Sequence, residues 1–231
     1  MNTIIESSAG WDRDQNGKKW EDYDTIVCPD GQIIDMAKLL DEQQRAKAAL
    51  LHIMPHFGGF INKLKPVYTF RIPTQAVDGL HVFINPQFTA NLDLSGKVFL
   101  LAHEIMHCVL NHLRRGRSHD RKRSNIAADY EVNTSLVDLG LFKKEMIDKL
   151  GGYIDMNYAS WGYEKIYADA KLNQKSNDNM NNEDEQKKAQ QNNSQRQSGG
   201  SSGSGQQSYS DDFKKGWAQA MEDYKNGKLK I

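Results

Sequence analysis

Residues 94–115 constrain the fold more than any other part of the chain, because they are apolar around most of a helical circumference. A helix of this kind is expected at the centre of a domain, with neighbours on most sides. It nevertheless carries His103, Glu104 and His107 among its apolar residues. Unpaired polar groups in such surroundings would each destabilise the fold, so something must compensate them.

The spacing of the two histidines indicates what compensates them. Residues four apart on a helix point in nearly the same direction, so His103 and His107 can both offer a ring nitrogen to one ion. Glu104 is offset around the axis, which suits a general base acting on a metal-activated water better than a ligand. This pattern occurs by chance in roughly one chain in a hundred. Its apolar setting favours a Zn²⁺ site over histidines satisfied by hydrogen bonds alone.

A third ligand is expected from another segment, because a catalytic zinc usually has three protein ligands and one open position. Asp129 is the favoured candidate, since the small residues Ala127 and Ala128 before it would let a second helix approach closely. Asn133 shares a helical face with Asp129. Its side-chain oxygen would accept the free ring N–H of a ligand histidine.

Two other candidates for the third ligand remain open. Glu131 lies two positions from Asp129, about 200° around the helix, so the two carboxylates cannot both face the ion. His112 is nine residues from His103 and would lie on the opposite side of an unbroken helix, so a hydrogen-bonding role at the helix end is favoured for it. The remaining histidines lack a matched spacing: His52, His56, His81 and His119.

Helices and a short β element are predicted around this segment. Residues 36–60 have apolar residues at helical spacing and are closed by Pro55 and Gly58-Gly59. A further helix is predicted over residues 125–136, with Ser124 as its cap. The β-branched and aromatic runs 67–70 and 81–84 are separated by the turn dipeptide Asp78-Gly79, which predicts a β element.

Composition divides the chain into four segments. Residues 1–34 have little periodicity and predict an irregular or partly ordered lead-in, whereas residues 35–170, ending in an apolar-bearing segment at 161–170, form the domain. Residues 171–208 are almost wholly polar and predict a disordered linker, because they cannot bury enough apolar surface. The last segment, 209–231, predicts a short amphipathic helix that can dock on the domain or on a protein partner, from apolar residues three or four apart: Phe213, Trp217, Met221 and Tyr224.

Charge, cysteine content and hydropathy indicate which partners and which cellular compartment to expect. Lys plus Arg and Asp plus Glu balance at 30 each, so charge indicates neither nucleic acid nor membrane as the main partner. Cys28 and Cys108 have no paired spacing, the N-terminus lacks a signal-like apolar run, and the longest apolar run is too short to span a bilayer. We therefore expect a cytoplasmic protein, or one packaged in a particle if a phage encodes it. The basic stretch 114–123 is interpreted as a solvated loop rather than a nucleic-acid site.

Four motifs, in the same order along the chain, resemble a known family. They are residues 72–79 (IPTQAVDG), 85–88 (NPQF), 101–115 (LAHEIMH through HLRR) and 125–133 (NIAADYEVN). Together they resemble a metallopeptidase domain family of bacteria and phages, which in many members precedes a von Willebrand factor A-like domain. The resemblance covers about residues 35–170, after which a disordered tether is expected here in place of that second domain.

The resemblance implies an α+β, mostly helical zincin-like fold. A small sheet would cover the active-site helix, and a second helix would supply the remaining ligand. The resemblance includes the alanine-alanine-aspartate segment, which further favours Asp129 as that ligand. The implied cofactor is Zn²⁺, held by His103, His107 and Asp129.

The predicted function is that of a zinc-dependent peptidase acting on peptide or protein substrates. Glu104 would take a proton from water and pass it to the leaving amine. Residues 81–84 would form a sheet edge on which the substrate lies as an added strand. Tyr130 is a candidate oxyanion donor, although an aromatic core position is favoured for it.

Two rival hypotheses remain. In the first, the chain is a metal-stabilised binding or assembly module without turnover, whose terminal helix holds a partner. In the second, residues 114–123 bind nucleic acid, which predicts an affinity that falls steeply with salt.

Overall fold

Helices make up most of the domain and two small sheets lie among them, so the predicted α+β class is confirmed. The computed structural model describes residues 10–28, 30–169 and 172. The helices are α1 (Met36–Ile53), α2 (Gly58–Lys63), α3 (Pro86–Ala90), α4 (Leu94–Val109), α5 (His112–Arg115), α6 (Arg121–Asp138), α7 (Lys144–Lys149) and α8 (Tyr163–Ala168). The strands are β1 (Thr25–Val27), β2 (Ile33–Asp35), β3 (Lys65–Tyr68), β4 (Gln75–Val77) and β5 (His81–Ile84).

The helix α4 lies at the buried centre of the domain, as its apolar circumference predicts. Asp93 caps its first turn by accepting a hydrogen bond from the Gly96 N–H at 2.7 Å. Ala102, Ile105 and Met106 on α4 are fully buried. The helix packs against α1, α6 and β4, so polar side chains on it are largely shielded from water.

The helix predicted over residues 94–115 is interrupted, and the expectation of one unbroken helix is wrong. α4 ends at Val109, and Asn111 adopts a left-handed conformation with a φ of 58°. Asparagine tolerates this region better than most residues, because its short polar side chain can hydrogen-bond locally. The chain then turns into α5, so His112 does not follow the direction of α4.

The three-stranded sheet has the order β3-β5-β4, with β3 parallel and β4 antiparallel to β5. The predicted turn forms, since Asp78 Oδ1 accepts hydrogen bonds from the N–H groups of Leu80 and His81 and Gly79 has a φ of 94°. The hairpin partner of β5 is β4, rather than the run 67–70, because so short a turn joins only the residues directly before and after it.

The central place of β5 has a consequence for substrate binding. Its backbone pairs with β3 on one side and with β4 on the other. The prediction that residues 81–84 form a sheet edge for a substrate strand is therefore wrong.

The helix predicted over residues 36–60 divides in two. α1 begins after Asp35, whose carboxylate accepts a hydrogen bond from the Lys38 N–H at 2.9 Å. It ends at Ile53, because Pro55 disfavours the helical conformation for the residue before it. Gly58 was expected to close the helix, but it begins α2 instead.

Within the lead-in, predicted to be irregular or partly ordered over residues 1–34, the described residues contain ordered structure. β1 and β2 pair antiparallel, and both contact α1. Trp11 packs edge-on against Phe83 of β5, with ring centroids 5.8 Å apart. Strands of three residues are too short for a period of two to be recognised in the sequence.

The helix α6 begins at Arg121 rather than at residue 125. Asp120 caps it by accepting a hydrogen bond from the Arg123 N–H at 2.8 Å, so the prediction of Ser124 as the cap is wrong. Ser124 lies inside the helix, where its hydroxyl is 2.7 Å from the Tyr163 hydroxyl. The end of the basic stretch 114–123 is therefore helical and not a loop.

The helix α8 packs on α6, and its Tyr163 and Ile166 are fully buried. Leu172 belongs to the same apolar cluster. Apart from Leu172, the predicted linker at 171–208 and the predicted helix at 209–231 lie outside the described residues. Among the helices of the described part, none combines the length and apolar character that crossing a membrane requires.

An ion pair between a buried lysine and a partly exposed glutamate connects α4 to α1. Lys97 is only 2% exposed, and its Nζ lies 2.8 Å from Glu42 Oε2. The same ammonium donates to the Leu92 carbonyl. A buried ammonium needs such partners, because its desolvation is otherwise uncompensated.

We expect Glu42→Gln to lower the free energy of unfolding by about 2 kcal/mol, because it leaves the Lys97 ammonium buried without its anion. Lys97→Met should destabilise less, since it removes the charge and keeps an aliphatic stem. Urea unfolding measures both. Asp41→Asn is the matched control, because the pair of Asp41 with Arg45 is exposed and should contribute less than about 1 kcal/mol. Equal losses in the Glu42 and Asp41 variants would contradict this.

Candidate metal centre

Two helices bring the three predicted ligands together. His103 and His107 lie one turn apart on α4, and Asp129 faces them from α6. Asp129 Oδ1 is 3.2 Å from His107 Nε2 and 3.4 Å from His103 Nε2, and the two Nε2 atoms are 2.9 Å apart. One ligand atom from each of the three residues lies within 4.8 Å of the others.

The approach of the two helices depends on small residues. Ala127 and Ala128, directly before Asp129, are buried, as is Ala102 directly before His103. Such side chains allow helices to approach closely and so bring short polar side chains within reach of one another. The alanines that favoured Asp129 in the sequence are therefore packed as expected.

His103 is held from its far side by an amide. Its Nδ1 lies 2.8 Å from Asn133 Oδ1. The Asn133 Nδ2 donates to the Tyr153 carbonyl at 2.8 Å, which fixes which end of the amide faces the histidine. The predicted hydrogen bond between Asn133 and a candidate ligand histidine is thereby confirmed, and His103 Nε2 remains directed at Asp129.

His107 is held by a second histidine. The turn at Asn111 brings His112 Nδ1 to 3.0 Å from His107 Nδ1, and His112 Nε2 lies 2.6 Å from Glu131 Oε2. The predicted hydrogen-bonding role of His112 is confirmed. The two alternative third ligands, His112 and Glu131, bond each other and lie outside the group of three.

Glu104 has a buried oxygen that no described residue satisfies. Its side chain is almost fully buried, and Oε2 has no hydrogen-bond partner among the described residues. Burial raises the pKa of Glu104 to about 7, although the charge of His103 acts against this rise. An unsatisfied buried carboxylate oxygen destabilises a fold, so its presence calls for an explanation, which a bound group or a reaction that uses the oxygen would supply.

The charges at the centre are strongly coupled. Burial lowers the pKa of His107 to about 3. Burial also acts to lower the pKa of His103, but the Asp129 carboxylate outweighs it and raises that pKa. The pKa of Asp129 is held well below its usual value, because the two histidines outweigh the opposing effect of burial. The buried Asp129 carboxylate thus favours a positive charge between these side chains.

The donor set fits a divalent transition metal. Two imidazole nitrogens and one carboxylate oxygen are ligands that Zn²⁺ prefers, and three protein ligands leave one coordination position open. Within the described part of the chain, His103, His107 and Asp129 are the one group of three such residues close enough to share an ion.

Other residues singled out in the sequence have different roles. Tyr130 is 1% exposed and packs against the rings of Tyr153 and Tyr158, so it has the favoured aromatic core position. His81 bonds Asp78, and His119 bonds the Tyr163 hydroxyl. Neither belongs to the group of three.

Sequence reasoning missed the partners that lie behind the centre. Arg115 Nη1 lies 3.1 Å from Glu131 Oε2, and its Nε and Nη2 donate to the Glu164 carboxylate of α8. The one local signal was Asn111, a residue that tolerates the left-handed turn and could have indicated the early helix end. Nothing local indicated Glu164, which is 49 residues from Arg115.

Residues 39–226 match the model of a family described as "Putative metallopeptidase domain". No curated protein matches the chain, and no solved structure does. The matched range contains every residue of the candidate centre.

We expect the full chain to bind one Zn²⁺ and to gain thermal stability when Zn²⁺ is added, because an ion bound only by the folded state stabilises it. His103→Ala and Asp129→Asn should each weaken binding by more than the roughly 10–100-fold typical of outer-shell changes. Metal content after dialysis and thermal unfolding with and without a chelator measure this.

His56→Ala is the matched control, because His56 is exposed and distant in sequence from the three residues. It should keep the binding of the wild type. Unchanged zinc affinity in the Asp129 variant would remove Asp129 from the ligand set.

Proposed function

The chain belongs to the family described as "Putative metallopeptidase domain", and from this premise we propose that it is a zinc-dependent peptidase. His103, His107 and Asp129 are the proposed zinc ligands, and Glu104 is the proposed general base. The substrates are peptides or proteins. The observation that carries the proposal is the convergence of three buried donors beside the buried carboxylate of Glu104, whose Oε2 has no hydrogen-bond partner among the described residues.

The arrangement divides the chemistry between the ion and Glu104. His103, His107 and Asp129 would hold the Zn²⁺, which would supply Lewis acidity that makes water a better nucleophile at neutral pH and polarises the scissile carbonyl. Glu104 takes one proton from the attacking water as the new C–O bond forms. It gives that proton to the leaving nitrogen as the C–N bond breaks, so an amine and a carboxylic acid are released.

The environment of Glu104 suits this proton transfer. A general base works best when its pKa is near the working pH, and burial raises the pKa of Glu104 to about 7. Its position directly after His103 keeps it beside the ligands without making it one. The absence of a competing hydrogen bond to Oε2, among the described residues, leaves that oxygen available to a water.

Burial of the ligands supports the catalytic assignment in a second way. His103, His107 and Asp129 are each less than a tenth exposed. Electrostatic interactions are stronger in such surroundings than in water, so charge that develops in the transition state is stabilised more effectively there. The rival, a metal-stabilised module without turnover, shares the ligands but makes no use of Glu104.

We expect Glu104→Gln to retain zinc and to lose peptide hydrolysis by about 10²–10⁴-fold, because glutamine keeps the shape of the side chain but cannot accept the proton. The measurement combines zinc content with cleavage of a quenched fluorescent peptide library and of denatured proteins. Glu145→Gln is the matched control, since Glu145 is exposed on α7.

The outcomes separate the two functions. Equal cleavage by wild type and Glu104→Gln would end the catalytic assignment of Glu104. Bound zinc with no cleavage of any tested substrate would favour the module, and failure of the wild type to bind zinc would contradict both.

A further inference from the structure

A short chain reversal brings His112 behind His107. On a continuous helix these residues, five positions apart, would lie about 140° from each other around the axis and could not touch. Asn111 breaks the helix with its left-handed backbone, and the two Nδ1 atoms come to 3.0 Å. His112 is 6% exposed, so its ring is held away from water in this position.

The hydrogen bonds behind His107 run in one direction. The buried Glu131 carboxylate is paired with Arg115, whose guanidinium lies 3.1 Å from the oxygen that faces His112. A carboxylate oxygen beside a guanidinium accepts, so His112 Nε2 carries the proton in their 2.6 Å contact. A neutral His112 then has a lone pair at Nδ1. It accepts from His107 Nδ1, which leaves the lone pair of His107 at Nε2.

The opposite direction would be incompatible with metal binding. If His112 Nδ1 donated to His107 Nδ1, the remaining proton of a neutral His107 would lie on Nε2. That atom faces Asp129 and the other candidate ligand, His103. Only hydrogen bonds donated from His107 to His112 and from His112 to Glu131 leave a lone pair on His107 Nε2.

We propose that His112 is a positioning residue, which with Glu131 locks His107 in the Nδ1–H tautomer and aims its Nε2 at the metal. This inference rests on the proposed function, since it assumes a metal held by His107. It also assigns Glu131 a role at the far end of the hydrogen-bond chain instead of in the ligand set.

The two candidate histidine ligands are supported unequally. His103 donates to Asn133, a neutral amide, whereas the chain behind His107 ends on a carboxylate. A hydrogen bond that ends on an anion makes the imidazole a stronger donor to a metal than one that ends on an amide. His107 should therefore contribute more electron density to the ion than His103 does.

Arg115 anchors the Glu131 end of this series of hydrogen bonds to the rest of the domain. It contacts Glu131, the Leu110 carbonyl and the Glu164 carboxylate of α8. Its guanidinium also lies over the ring of Tyr163, 5.1 Å from the centroid. Glu131 is thus fixed from the side opposite His112, so the position of His112 is determined by α6 and α8 as well as by its own turn.

Three substitutions at His112 test the assignment in the full chain. Asparagine can place an oxygen near the former Nδ1 and still accept from His107, whereas glutamine reaches the former Nε2 and cannot. Leucine has no atom that can accept a hydrogen bond at either position. We expect His112→Leu and His112→Gln to weaken Zn²⁺ affinity by about 10–100-fold and His112→Asn to remain close to wild type.

Competition with a chromogenic chelator measures the Zn²⁺ affinities, and the visible absorption of the Co²⁺-loaded protein reports the ligand field. The Co²⁺ spectrum of His112→Asn should match that of the wild type, and that of His112→Gln should differ. His119→Leu is the matched control, because His119 bonds the hydroxyl of the same Tyr163 but does not reach His107. It should leave affinity and spectrum unchanged.

Glu131→Gln keeps the inference testable if His112→Leu does not fold. The amide oxygen can still accept from His112, so only the charge is lost, and the Co²⁺ spectrum should shift with a smaller loss of affinity. Equal affinities in His112→Asn and His112→Gln would overturn the inference, as would a Glu131→Gln protein identical to wild type in both measurements. Failure of the wild type to bind Zn²⁺ or Co²⁺ would instead overturn the proposed function.

Discussion

The desolvation of three polar side chains inside α4 and α6 is the constraint on which the rest of the centre depends. His103, His107 and Asp129 are buried among apolar residues, where a polar group without a partner strongly destabilises the fold. The surrounding structure satisfies the far side of each imidazole and directs its near side at Asp129. The lone pairs of the two Nε2 atoms and of the Asp129 carboxylate therefore converge on one point, and a cation bound at that point would stabilise them best.

Much of this centre could be predicted because the relevant geometry is local. His103 and His107 share a face through the helical period alone, and Asp129 was favoured over Glu131 because it shares a face with the polar residue Asn133. Asn133 lies one turn beyond Asp129, so its contact with His103 follows from the same face. These predictions required only that two helices form and approach each other.

The errors arose where one residue changes the direction of the chain or where distant segments pair. The left-handed Asn111 turns His112 back towards α4, and the helical period over residues 94–115 gives no warning of it. The strand β4 has three residues, too few for alternation to be recognised, and its pairing made β5 central rather than an edge. The predicted cap of α6 was wrong for a similar reason, since Asp120 and Ser124 are both acceptable caps and the distant residue Tyr163, which Ser124 contacts instead, cannot be recognised from the local sequence.

The placement of Glu104 bears on whether the centre is catalytic or structural. A structural zinc site is normally closed by four protein ligands, and its polar neighbours are satisfied. Here three donors converge, and the adjacent carboxylate keeps a buried oxygen without a partner among the described residues. Leaving such an oxygen unsatisfied costs about 1–3 kcal/mol, which a site serving stability alone would avoid by replacing the carboxylate with an apolar side chain. The presence of Glu104 at this position therefore favours a reaction that uses its oxygen over a metal that only holds the helices together.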